Sequence, residues 1–551
     1  MRTFPWVKYL LLSLAVVLFV SSATVVWGFE MSGPTSVARP LPAPNPTPPA
    51  PNAATDVAAT AGFVVDHTHT DLAEIPAAWV EWAKMTLHIA YEHTSHGSQL
   101  VTGMTALRDY PDFGTKYDWS DSTVGNEHVL SLDDYGIPNA PNDLSQGDYD
   151  NDGNGIDDWA DATYNYLVDP NHYHVNVILW SWCNIAGHDI PRYLNSMEWL
   201  INQFDVGGTH PRAAEHPVKF VYITGHANGG GEGDSSDSQN VLIRNFVASH
   251  NRILFDFSDM ENYNPDNVYF LDKYLQDDLD YDSDGNGSVD ANWAVEYIAL
   301  HDDSELDRLT TGDNVTGYSG AGSCAHSDGP SNLARLNCVL KGRGAWYLFA
   351  RLAGWDGNPV DVTLSAAARD AAIDMSWPVT GTLPVSTTWK ISYTGPAGNQ
   401  TSPIDNINLN THNYTLTGLT NGTPYTVTLN AMLNGVEVLT QTRILTPTGN
   451  PVYLPLVTTS AATQTQLQLE WNAASGYNLY QVWKSTEAYA NMAESTLMEE
   501  LTAAPWQYLE ENALGDATIN HFYQVIGVKA NNETTISQRV GEFDFSLLPG
   551  E

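Results

Sequence analysis

Leu87-His88-Ile89-Ala90-Tyr91-Glu92-His93-Thr94-Ser95-His96-Gly97-Ser98-Gln99-Leu100 is a run of β-formers that meets a turn of small residues and continues as a helix from near Ser98. Similar short apolar runs recur at 175–180 (VNVILW), 220–224 (FVYIT) and 253–257 (ILFDF). Between and around them, residues 75–85, 190–204, 240–249 and 339–352 carry helical spacing of apolar positions. Strands with apolar residues throughout, separated by amphipathic helices, predict a parallel sheet covered on both faces. One α/β domain is therefore expected over residues 61–358, with long insertions.

The opening stretch also carries chemistry. A serine on a strand-to-helix turn exposes its hydroxyl at the C-terminal edge of the sheet, beside backbone N–H groups able to hold an oxyanion. Such a hydroxyl becomes a nucleophile when a histidine takes its proton. On these residues the domain resembles SGNH hydrolases, of a divergent kind associated with bacterial exported proteins; their sheet is flavodoxin-like. The resemblance implies that Ser95, in His93-Thr94-Ser95, is the nucleophile. Thr224-Gly225-His226-Ala227-Asn228-Gly229 would supply the oxyanion asparagine, Asn228, and Ser323-Cys324-Ala325-His326 the general base, His326. Asn184 or Gly187 stand in for a second-block glycine. Ser323 occupies the place of the aspartate that orients the base, leaving Asp256 or Asp328 as substitutes. His93 and His226 are supporting candidates. Trp180, Trp182, Asp259, Glu261 and Trp346 are expected to line or support the same sheet edge.

Two acidic segments repeat one spacing. Asp150, Asp152 and Asn154 occupy positions 1, 3 and 5 of the first, followed by Gly155, Ile156, Asp158 and Asp161. Asp282, Asp284 and Asn286 open the second, followed by Gly287, Ser288 and Asp290. Oxygen ligands at 1, 3, 5 and 9, a backbone carbonyl at 7 and a glycine at 6 suit Ca²⁺, which takes six to eight hard oxygens. Asp161 falls at position 12 of the first loop, and Trp293 at that position of the second. Two structural calcium ions are expected, and no organic cofactor.

After the α/β domain the pattern changes to short alternating strands, as at 387–393, 413–416 and 425–429, which predicts all-β sandwiches. The run from Tyr414 through Tyr425 to Thr428 resembles the E–F region of a fibronectin type III module, implying such a module over 359–449. Residues 450–551 resemble a second, more divergent copy.

Lys8 and Arg2 precede an apolar run, and Ser21-Ser22-Ala23 offers a peptidase site, so residues 1–31 read as a signal peptide or as an uncleaved membrane anchor. Either reading implies export to the cell surface or beyond. The segment 32–60, rich in Pro, Ala and Asn, is expected to be a spacer. With 65 acidic against 23 basic residues, the chain would repel phosphate backbones, which excludes nucleic acid as an expected partner. Membrane contact is expected only through the N-terminal segment. Of three cysteines, Cys324 and Cys338 are close enough in sequence to form a disulfide, leaving Cys183 as a small buried hydrophobe.

These readings converge on a secreted serine esterase or deacetylase acting on an acylated polysaccharide or glycoconjugate. Two others compete. One is a non-catalytic, calcium-stabilised carbohydrate-binding or adhesive protein. The other is a metal-dependent hydrolase built on His67-Thr68-His69 together with His93, His96, His226 and His326.

Overall fold

The computed structural model describes residues 62–122, 128–329, 331–395 and 403–448, and most of 458–542. The expected export segment and Pro-rich spacer lie outside the described residues. In chain order the first domain contains β1 (Val64–Val65), α1 (Ala77–Thr86), β2 (His88–Glu92), α2 (Ser98–Asp109), β3 (Trp119–Asp121), β4 (Leu130–Asp134), α3 (Leu144–Gly147) and α4 (Asp158–Val168). There follow β5 (Val177–Trp180), α5 (Ile190–Phe204), β6 (Lys219–Ile223), α6 (Ser235–His250), β7 (Leu254–Phe255) and α7 (Phe257–Asn262). The domain closes with β8 (Asp280–Tyr281), β9 (Ala291–Asn292), α8 (Trp293–Leu300), α9 (Glu305–Thr311) and α10 (Leu336–Leu352).

Seven strands pair in the order β1-β7-β6-β5-β2-β4-β3, every pair parallel. Within it, β4-β2-β5-β6-β7 is the flavodoxin-like order, and the chain reverses its direction of winding between β2 and β5. Strand periodicity accounts for the two cores. Ile89, Tyr91, Val177, Leu179, Val221 and Ile223 point to one face, where Trp79, Val80, Leu100, Met104 and Trp346 cover them. Ala90, Ile178, Trp180, Phe220 and Tyr222 point to the other, against Trp159, Tyr193, Met197, Leu200 and Ile243. The run at 253–257 is shorter as a strand than expected. Asp256 stops it by capping α7, its carboxylate accepting the Asp259 N–H at 3.2 Å.

Two glycines set a close helix crossing. A Cβ on Gly103 of α2 would stand 1.8 Å from the Cys338 carbonyl oxygen, and one on Gly342 of α10 would stand 2.3 Å from the Gly103 carbonyl carbon. The backbones of α2 and α10 therefore touch, which fixes the turn before α2 against the loop before α10.

Beyond α10 lie two β-sandwiches of matching topology. In the first, Ser365–Arg369, Ala372–Ser376 and Asn413–Thr417 form one sheet. Ile404–Asn408, Thr387–Thr394, Tyr425–Leu433 and Val436–Leu445 form the other. Trp377 and Trp389 fill the core between them. The Tyr425 hydroxyl accepts the Thr420 N–H at 3.0 Å, the tyrosine-corner bond of such sandwiches. The second module sets a three-stranded sheet of Thr458–Ala461, Leu467–Glu470 and Gln507–Glu510 against a five-stranded one centred on Tyr477–Ser485 and His521–Lys529, whose last edge is split between Thr534–Ile536 and Val540–Glu542. The α/β domain and the first module are in contact: the Trp79 indole N–H of α1 donates to the Thr382 carbonyl at 2.8 Å.

Candidate functional site at the sheet switch point

The turn after β2 and the exit of β5 face each other where the winding reverses. Gly97 is required by that approach, since a Cβ there would lie 2.0 Å from Ser181 Oγ and 2.3 Å from His93 Cβ. Ser95 and Cys183 consequently meet: their Oγ and Sγ are 3.3 Å apart, and both residues are half-buried. Cys183 Sγ is also 3.8 Å from His96 Nδ1. The other ring nitrogen of His96, Nε2, lies 2.9 Å from Asp277 Oδ2. Thus Ser95, Cys183, His96 and Asp277 form one continuous chain of polar contacts.

His96 is buried and lies between two parallel imidazoles. Its ring centroid is 3.8 Å from that of His226 and 3.8 Å from that of His326, with interplanar angles of 6° and 7°. Burial pushes the His96 pKa down, and the neighbouring His226 and His326 add to this, while Asp277 opposes it. The net effect favours a neutral ring able to accept a proton. His326 Nδ1 is 3.3 Å from the same Asp277 oxygen. Burial pushes the Asp277 carboxyl up, but the His96 hydrogen bond and the adjoining histidines outweigh it and hold the carboxyl below its usual range.

Support lies directly beneath. Lys341 and Glu261 are fully buried and paired at 2.6 Å, with Gln99 Oε1 also accepting from the ammonium. Glu261 accepts the Ala227 N–H at 2.8 Å, next to His226, and Gln99 donates to the Ala325 carbonyl at 2.6 Å, next to His326. Ser327 donates to the Asp277 carbonyl at 2.9 Å. His226 and His326 are thereby each tied, through a chain neighbour, to one ionic core, and His96 is held between them.

Of the residues expected from sequence, Ser95, His226 and His326 come together here. Ser95 has Cys183 as its side-chain partner; His326 stands behind His96 and not against the serine. Asn228 is exposed and makes no hydrogen bond among the described residues. His93 faces β4, its Nε2 2.5 Å from Asp134 Oδ1. Asn184 and Gly187 lie in the loop after β5; Ala186 N–H donates to Asn184 Oδ1 and Gly187 N–H to Gln239 Oε1. Asp256 is bound by Arg244 at 2.6 and 2.8 Å. Asp328 accepts from Ser323, from the Cys324 N–H and from Arg335, so it braces the loop and leaves His326 to Asp277. Cys324 and Cys338 are bridged, tying that loop to the first turn of α10. Cys183, expected to be a packed hydrophobe, instead borders the site with a free thiol. Asp277 and Cys183 escaped the sequence reading. An odd cysteine after a strand was a usable signal; an aspartate among many in an acidic insertion was not.

The His-x-His pair does not join this group. Both ring nitrogens of His67 are engaged, Nδ1 with Asp259 and Nε2 with Asn267 at 3.0 Å, and His69 bonds Asp66 at 2.8 Å. His96, Asp277 and His326 do converge closely enough to suggest a metal. The fit is poor, because a metal binds in the plane of each imidazole, and two parallel stacked planes share no such point.

The two acidic loops are near copies of each other. Asp150 accepts N–H bonds from Gly153, Asn154 and Gly155 at 2.7, 3.0 and 2.9 Å; Asp282 accepts from Gly285, Asn286 and Gly287 at 2.8, 3.2 and 2.7 Å. Asp152 and Asp284 each accept from the residue two further on, as do Asn154 and Asn286. Asp158 accepts from Asn151 N–H, and Asp290 from Ser283 N–H. Gly155 and Gly287 have φ of +86° and +89°, a conformation that glycine alone adopts without strain. Asp161 contacts Asn154, and its carboxyl is raised by burial and by the charges of Asp152, Asp158 and Asp150. A crowd of carboxylates of this kind suits a divalent cation. Trp293, at position 12 of the second loop, is buried and donates to the Glu261 carbonyl at 3.0 Å.

No family model and no curated protein matches the chain. Among solved structures it is similar to a two-domain fibronectin type III segment of chicken tenascin, at 15% identity over 33% of this chain and 95% of that one, with a TM-score of 0.19. It is also similar to chicken CNTN1 FN1-FN3 domains, at 11% identity over 33% and 66% of the two chains, TM-score 0.18. Pectate lyase PelI from Erwinia chrysanthemi matches at 20% identity over 15% of this chain and 26% of its own, TM-score 0.13.

Proposed function

We propose that this chain is an exported ester hydrolase of SGNH type, an esterase or deacetylase whose substrate is an acylated polysaccharide or glycoconjugate. The observation that carries this reading is the Ser95–Cys183–His96–Asp277 chain at the switch point of a doubly wound parallel sheet, where such folds bind their ligands. Attack on the acyl carbon comes from the Ser95–Cys183 pair, with Ser95 the residue favoured by the family resemblance. A histidine held by Asp277 receives the proton, and His326 shares that carboxylate. Backbone N–H groups of Ser95, His96 and Gly97 have no acceptor among the described residues and precede α2, which suits a developing oxyanion. Asn228, exposed and without a hydrogen-bond partner among the described residues, is the further donor that the family resemblance assigns to this charge.

In this reading each acidic loop holds one calcium ion, with Asp150, Asp152, Asn154, Ile156, Asp158 and Asp161 serving the first. Asp282, Asp284, Asn286, Ser288 and Asp290 serve the second. The two sandwiches project or attach the hydrolase. One observation favours a non-catalytic, adhesive protein instead: among the described residues Ser95 Oγ meets a thiol and no histidine.

The test is hydrolysis of acetyl esters and acetylated glycans by the purified chain. Turnover that is lost when Ser95→Ala is combined with Cys183→Ala supports the site. Absence of turnover on every substrate, with calcium still bound, favours the adhesive reading.

A further inference from the structure

Cys183 is the unpaired member of three cysteines, since Cys324 and Cys338 are bridged. Its thiol lies between a hydroxyl and an imidazole. Among the described residues Ser95 Oγ has no base within hydrogen-bonding reach, whereas Cys183 Sγ has His96 Nδ1 at 3.8 Å. The far side of that ring is held by Asp277 at 2.9 Å, so Nε2 carries the proton and Nδ1 presents its lone pair to sulfur. Stacking against His226 and His326 on both faces prevents the ring from tipping away. A nucleophile beside a base that is itself oriented by a third group is the arrangement nucleophilic catalysis needs. A thiol requires less activation than a hydroxyl in the same place.

Resting on the hydrolase reading above, we infer that the bond-forming atom is Cys183 Sγ and that the protein is a thiol hydrolase of acyl esters. His96 Nδ1 takes the thiol proton, and the sulfur attacks the acyl carbonyl carbon, forming a C–S bond and an oxyanion. Ser95 Oγ, at 3.3 Å, donates a hydrogen bond to the sulfur as its charge develops. Collapse of the tetrahedral adduct breaks the bond to the alkoxy oxygen, which leaves with the proton from His96 Nδ1, and a thioester remains on Cys183. Water then attacks that carbonyl, His96 Nδ1 accepting its proton; the C–S bond breaks, the proton passes from His96 to the departing sulfur, and the carboxylic acid leaves Cys183 as the free thiol.

The full chain and its Cys183→Ala, Cys183→Ser and Ser95→Ala variants are assayed with p-nitrophenyl acetate, with thermal melts to confirm folding. Iodoacetamide and a fluorophosphonate serve as competing labels. The expected result is carboxymethylation of Cys183 with loss of turnover, and a fall of at least about 10³-fold in Cys183→Ala. Ser95→Ala should fall by only about tenfold, the share of one hydrogen bond. Acid-quenched protein should carry the acetyl group on Cys183. Fluorophosphonate labelling of Ser95 with near-normal turnover in folded Cys183→Ala overturns the cysteine assignment and leaves an ester hydrolase standing. No turnover and no labelling of the wild-type chain by either reagent overturns both.

Discussion

His96 Nε2 lies 2.9 Å from Asp277 Oδ2, although 181 residues separate them in the chain. One comes from the turn after β2 and the other from the insertion that leads into the second acidic loop. Asp277 does not contact the reacting atoms in the proposed reaction. It holds His96 in one tautomer, so it is a positioning residue.

Replacing it should therefore affect rate more than stability. Asp277→Asn is expected to lower kcat by about 10²- to 10⁴-fold with little change in KM. Asp277→Glu should restore part of the loss. Steady-state kinetics beside thermal melts decides the matter: a fall in melting temperature that accounts for all the lost activity would falsify the positioning role.

Beneath the site, Lys341 and Glu261 share a fully buried ion pair. Burial pulls the Lys341 pKa down against the attraction of Glu261. Removing one partner leaves an uncompensated buried charge, so Lys341→Met should cost about 3–5 kcal/mol. The double variant Lys341→Met/Glu261→Gln should recover much of that, read by urea denaturation of each protein.

Glu92 ends β2, and burial pushes its carboxyl up to about 7, with only the Ile137 N–H, at 2.5 Å, acting against it. Between the ordinary carboxyl range and that value the unfolded chain has lost a proton that the folded chain keeps. This residue's contribution to stability consequently falls as pH rises through that window. Glu92→Gln should be near neutral at pH 4 and stabilising by roughly 2–3 kcal/mol at pH 8. Melting curves of both proteins across pH 4–8 test it; a constant difference would count against the burial argument.

Calcium should matter to both loops, and to the site through the second. Asp277 lies just before β8, and the Asn292 amide, beyond the loop, donates to the Asp278 carbonyl at 2.8 Å. Chelation is expected to lower the melting temperature and, separately, to reduce hydrolysis. Titration calorimetry should find two sites in the wild type, one in Asp150→Ala and one in Asp282→Ala. Of these, Asp282→Ala should reduce turnover more.

The α2–α10 crossing has no room for a methyl group. Gly103→Ala should cost about 1–3 kcal/mol or more, because the new Cβ meets backbone and not a movable side chain. Equal stability of the variant in denaturant would show that the helices can separate.

Much of this fold was legible from residue pattern. The helix read at 190–204 is α5 residue for residue, because its seven buried positions follow one stripe. Strands β3 and β4 were not anticipated, since Trp119–Asp121 and Leu130–Asp134 are short and run into acidic residues. The loops of Asp150 and Asp282 announced themselves because their spacing is local. The site did not, because its partners are assembled by topology: Ser95 and His96 follow β2, Cys183 follows β5, and Asp277 sits in an insertion. Spacing along a chain carries no information about such distant meetings, and with Ser323 in the acid's place the pattern pointed to Asp256 and Asp328, which bind Arg244 and Arg335 instead.

Trp79 packs in the core beside the sheet while its indole N–H reaches the Thr382 carbonyl of the first sandwich. In the proposed hydrolase, a tether would let the site swing freely over whatever the sandwiches hold. A buttress would make the first sandwich a stock and the sheet edge a muzzle, so that attachment would also aim the site.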